Sequence, residues 1–60
     1  MIKFYATVKD TRYNEFSAII RAKSESEAVE KYTAIVANSK KHEKVRRDPK
    51  GYTVTAKAAA

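Results

Sequence analysis

Ile20-Arg21-Ala22-Lys23-Ser24-Glu25-Ser26-Glu27-Ala28-Val29-Glu30-Lys31-Tyr32 changes its hydrophobic period at the serines, and that change decides the fold. Before Lys23 the apolar residues fall at every second position (Phe16, Ala18, Ile20, Ala22), the spacing of a strand with one buried face. After Ser24 they fall at Ala28, Val29, Tyr32, Ile35 and Val36, which is one stripe on a helix of 3.6 residues per turn. Ser24 with Glu27 three residues later has the form of a capping box, in which the hydroxyl accepts the N3 amide and the carboxylate reaches back to the cap. Glu25 and Glu27 also occupy the first turn, where the positive end of the helix dipole favours anions.

Upstream, Ile2, Phe4, Ala6 and Val8 alternate with Lys3, Tyr5, Thr7 and Lys9, so a first strand precedes the second. Asp10-Thr11-Arg12-Tyr13-Asn14 has turn formers at both ends and joins the two as a hairpin. Downstream, the helical pattern fades at Asn38-Ser39-Lys40-Lys41-His42. Residues 43–47 read either as a short strand or as a polar extension of the helix. The turn Asp48-Pro49-Lys50-Gly51, followed by alternating Tyr52-Thr53-Val54-Thr55-Ala56, favours a second hairpin. Lys57-Ala58-Ala59-Ala60 has nothing to hold it in this reading and is expected to fray.

The predicted fold is α+β, ordered β-β-α-β-β, with one helix packed on one face of a mostly antiparallel four-stranded sheet in a single domain, 1–60. Its predicted core is Ile2, Phe4, Val8, Phe16, Ile20, Val29, Tyr32, Ile35, Val36, Val45, Tyr52 and Val54.

A chain of 60 residues buries a small core, and proteins this short usually add disulfides, a metal or a second subunit. No cysteine is present and His42 is the single histidine, so disulfides are excluded and a zinc site is not expected. Idealised packing or self-association as a homodimer is the remaining route. Cysteine absence fits a reducing, cytoplasmic compartment. No apolar stretch approaches the roughly 20 residues that cross a bilayer, and no membrane role is expected.

Catalytic chemistry is not legible. His42 lies in a basic run and reads as a solvated surface histidine, Ser24 is committed as a cap, and the carboxylates near the helix start are explained by capping and the dipole. One glycine in the chain excludes a glycine-rich phosphate loop. No enzyme activity and no cofactor are expected.

What remains is charge. Thirteen Lys and Arg against seven Asp and Glu give a net +6, which attracts polyanions. If the helix covers one side of the sheet, Lys3, Tyr5, Lys9, Arg21, Lys44 and Arg46 share the other, extended by Lys40, Lys41 and Arg47. A cationic sheet with an aromatic among its cations suits nucleic acid, the charges following phosphates and Tyr5 stacking on a base. The same face, with Ile19 beside Tyr5, suits the acidic surface of a larger host protein, as a phage- or plasmid-borne inhibitor would use.

The junction at 20–32 resembles that of many small phage and mobile-element proteins, and also the arm-binding domain of tyrosine integrases. Those integrase domains place three strands before the helix and this sequence places two, so no family is assigned.

Overall fold

The structure, a computed structural model, describes residues 1–59. Strand β1 (Ile2–Asp10) and strand β2 (Glu15–Ala22) are followed by helix α1 (Glu25–Asn38), a 3-10 turn at Lys40–His42, a short helix α2 (Glu43–Arg46) and strand β3 (Tyr52–Ala58). The sheet has three strands in the order β2-β1-β3, antiparallel throughout.

The change of period at 22–25 is a change of element. Ser24 is extended, and its hydroxyl accepts the Glu27 amide at 3.2 Å. The Glu27 carboxylate accepts the Lys23 amide, also at 3.2 Å, so the reciprocal bond falls one residue before the cap. Lys31 joins this cluster, 3.4 Å from Glu27 and donating to the Arg21 carbonyl at 2.8 Å, which ties α1 to the end of β2.

A fourth strand is absent from the described residues, which corrects the expected β-β-α-β-β order. Residues 43–46 are helical instead. The reason lies in what 42–47 offers the core. Val45 is the only aliphatic residue of 43–47, so a strand there would bury one side chain. A helical turn brings positions three apart onto one face, and His42 and Val45 enter the core together, 5% and 0% exposed. Ser39 starts this run by accepting the Lys41 amide at 3.2 Å.

The turn at 48–51 forms as read, with the Gly51 amide donating to the Asp48 carbonyl at 3.0 Å, but it joins a helix to a strand. Asp at the first position, Pro at the second and Gly at the fourth fit a type I turn, and Gly51 takes the positive φ of 89°. Lys57 and Ala58 belong to β3, and the Ala59 amide donates to the Lys3 carbonyl at 2.9 Å, so 57–59 are held and not frayed. Ala60 lies outside the described residues.

Phe4, Ala6 and Val8 of β1, Ile20 and Ala22 of β2 and Ala56 of β3 face Ala28, Tyr32 and Val36 of α1. Phe16, Val29, Tyr52 and Val54 pack at the margin of this core. Ile2 and Ile35, expected inside, are 52% and 42% exposed. Ala6, Ala22 and Ala28, omitted from the expected core, are all fully buried, because small side chains set how closely helix and sheet approach. Among the described residues no helix is long and apolar enough to cross a membrane.

Candidate functional site

The face of the sheet away from α1 is organised by strand register. Lys3 of β1 lies opposite Arg21 of β2. Tyr5 lies between Ile19 of β2 and Lys57 of β3, Thr7 between Ser17 and Thr55, and Lys9 between Glu15 and Thr53. Successive side chains of a strand alternate between faces, so burial of Phe4, Ala6 and Val8 turns Lys3, Tyr5, Thr7 and Lys9 outward. Tyr5 is 42% and Ile19 56% exposed, forming a short apolar bar with Lys57 at one end and the Lys3–Arg21 row along one side.

Among the described residues Glu15 is the one side-chain carboxylate on this face, and Lys9 takes it at 3.3 Å. Lys3, Arg21 and Lys57 have no ion-pair partner among the described residues. Glu25, Glu27 and Glu30 all stand on α1, in the opposite layer. The cationic sheet face thus lies opposite the acidic first half of α1. Tyr5, Thr7, Thr55, Lys57 and the Lys9–Glu15 pair line a shallow depression of about 330 Å³ in the sheet face.

Of the residues expected on one surface, Lys3, Tyr5, Lys9 and Arg21 do share it. Lys44 and Arg46 do not, because the segment expected as a strand is helical, and Lys40, Lys41 and Arg47, expected to extend that surface, lie on the 3-10 turn and beside α2. Lys40, Lys41 and Lys44 are exposed at the end of α1 and on α2. Arg47 pairs with Glu43 at 2.6 Å. Arg46 turns back to donate from Nη1 to the carbonyls of Val36 and Ser39. It supplies the positive charge that the last turn of α1 lacks, where unpaired carbonyls and the helix dipole favour a cation.

His42 is buried, not solvated. Its Nε2 lies 2.9 Å from the Tyr32 hydroxyl, and its ring meets those of Phe16 and Tyr32 edge-on at 5.1 and 5.5 Å between centroids. Burial depresses its pKa, and the nearby charges of Lys41 and Arg46 add to the effect. The sequence held one signal for this: His42 and Val45 continue the apolar stripe past Asn38.

At the other end of β1 the hairpin turn is fixed by two aspartates. Asp10 Oδ1 accepts the amides of Arg12 at 2.8 Å and Asn14 at 2.9 Å. Asp48 is 6% exposed and accepts the Thr11 amide at 2.7 Å, the Thr11 hydroxyl and the Lys50 amide at 2.8 Å. The Thr11 hydroxyl, the Lys50 amide and then the Thr11 amide hold the Asp48 carboxyl below its ordinary range, with Arg12 assisting at 4.0 Å. Sequence reading passed over Arg12 and Tyr13 on this turn. Tyr13 is 97% exposed with φ 68°, and an aromatic among turn formers was the available signal.

Among the described residues no three His, Asp or Glu side chains converge as metal ligands would. Comparison with protein-family models, curated proteins and solved structures gives no match.

Proposed function

We propose that this chain is a small, non-enzymatic nucleic-acid-binding protein whose open sheet face holds single strands, with Lys3, Arg21 and Lys57 contacting phosphates and Tyr5 stacking on a base. The observation that supports it most is the register that sets Tyr5 beside Lys57 and one row from Lys3–Arg21, on the layer free of helix. Aromatic platforms flanked by cations are the general means of holding single strands without sequence preference.

Three cations without an ion-pair partner among the described residues bring about three phosphates, and each contact on a single strand contributes roughly 0.7 to the salt slope. From these three contacts alone, affinity is therefore expected to fall roughly 20-fold between about 50 and 200 mM salt. Fluorescence anisotropy with labelled single-stranded DNA measures this. Tyr5→Ala is expected to weaken binding fivefold or more, at about 1–3 kcal/mol per stacked base. Absence of binding at low salt would falsify the proposal.

Exposure of Tyr5 and Ile19 side by side favours a second reading, a protein-binding modulator that docks an acidic surface around this apolar bar. Capture from lysate with and without nuclease separates the two. A protein partner survives nuclease, whereas a nucleic-acid bridge is lost.

A further inference from the structure

We infer that the tip of the β1–β2 hairpin is a second contact for the same strand of nucleic acid, with Tyr13 stacking on a base and Arg12 and Lys44 binding phosphate. The inference rests on the reading of the sheet face given above.

Tyr13 carries the argument. Lys9 and Glu15 are the last paired residues, and the Asp10 amide donates to the Asn14 carbonyl at 3.1 Å, leaving a three-residue loop. Such loops take a left-handed residue at the third position, where glycine is the usual occupant. Here a tyrosine holds φ 68° and is 97% exposed, so backbone strain is accepted with almost no burial in return. Folding gains nothing from the ring; a ligand that stacks on it does.

The tip is also preorganised. The Asp10 carboxylate holds the amides of Arg12 and Asn14 and accepts the Asn14 side-chain amide at 2.8 Å, and the Thr11 amide is anchored to Asp48. Ordering costs on binding are correspondingly small. Arg12 donates from Nη2 to the Lys44 carbonyl at 3.3 Å, which draws its guanidinium towards α2. There Arg12, Asn14, Lys44 and Arg47 line an open recess of about 330 Å³.

The carboxylates nearby are already engaged. Asp48 is buried, Asp10 is held by the turn amides, and Glu43 is paired with Arg47. Lys44 has no ion-pair partner among the described residues, and Arg12 meets only Asp48 at 4.0 Å. The recess is lined by cations and Asn14 without an apolar residue, and the exposed ring of Tyr13 stands on the same turn as Arg12, which fits a polynucleotide in place of an apolar protein surface. Tyr5 lies five residues before Asp10 on the same strand, about 17 Å at 3.3 Å per residue. To reach the recess beside α2 from the open sheet face, the strand passes over the hairpin end.

The test uses fluorescence anisotropy with a labelled single-stranded DNA of about 16 nucleotides, the upper end of site sizes for small single-strand-binding folds. Tyr13→Gly is expected to weaken affinity fivefold or more and at the same time to raise the melting temperature, since glycine relieves the positive φ. A merely structural residue cannot produce opposite signs. Tyr13→Phe is expected to keep the affinity. Arg12→Gln with Lys44→Gln is expected to lower the salt slope by about 1.4, two contacts at roughly 0.7 each. Unchanged affinity and slope in these variants, with Tyr5→Ala still weakening the complex, overturns the tip contact and leaves the sheet face standing. Wild-type protein that fails to bind the DNA at low salt overturns both. Nuclease-resistant capture of an acidic protein that depends on Tyr13 overturns the inference in favour of a protein partner.

Discussion

The hydroxyl of Tyr32 and Nε2 of His42 meet at 2.9 Å inside the core, and His42 Nδ1 is buried without a hydrogen-bond partner among the described residues. Neutral imidazole is the form this site accommodates, because a buried cation with one hydrogen bond and two nearby positive side chains is disfavoured. With its folded pKa below the ordinary 6.5, His42 takes up a proton in the unfolded chain first. Its contribution is intact above pH 6.5 and is lost as pH falls below that value, at no more than about 1.4 kcal/mol per pH unit. Thermal melts from about pH 7.5 to 5 are expected to show this decline, and His42→Gln to flatten it. A wild-type curve level through that range would remove the assignment.

Asp48 fastens the β1–β2 turn to the segment entering β3, and its carboxyl is held low chiefly by the Thr11 hydroxyl. Its contribution is present above the ordinary value of 3.8 and lost as pH falls through it towards the folded value. Asp48→Asn is therefore expected to melt at lower temperature than wild type at neutral pH, with the gap closing at strongly acid pH. A gap of constant size would show that geometry, not charge, matters at this position.

Arg46 and the sheet-face cations separate cleanly by readout. Arg46→Met is expected to cost about 2 kcal/mol of stability, the scale of a hydrogen bond from a charged group, which lowers the melting temperature by roughly 10 °C in a domain this small. It should leave the salt slope of DNA binding unchanged. Lys3→Gln and Arg21→Gln should each lower that slope by about 0.7 with little change in melting. The reverse pattern would place Arg46 in the interface and take Lys3 and Arg21 out of it.

Ala28 touches the sheet with 0% exposure, so its size sets the spacing of the two layers. Ala28→Leu is expected to destabilise by about 1–3 kcal/mol through overpacking. Chemical denaturation checks it, and an unchanged midpoint would mean that the layers have room to spare.

The first hairpin, the capped helix and the final strand were legible because each repeats one period over several residues. Residues 43–47 were not. Four polar side chains around Val45 carry no period, and a turn with proline and glycine serves a helix-to-strand junction as well as a hairpin. That single misreading moved Lys44, Arg46 and Arg47 onto the wrong surface. Lys3, Tyr5, Lys9 and Arg21 were placed correctly, since parity within a strand fixes the face once the buried side is known. His42 was lost for a different reason: its core environment comes from Phe16 and Tyr32, which only folding brings near.

Strand β1 is the middle strand, paired with β2 along one edge and with β3 along the other, where Phe4 meets Ala58. A middle strand made first must wait for the last strand, so the nascent hairpin emerges with one ladder unfilled and its apolar side bare. Such long-range pairing slows folding, and β3 acts as the latch: lesions in 52–58 should hurt yield and solubility during synthesis more than equilibrium stability alone would suggest.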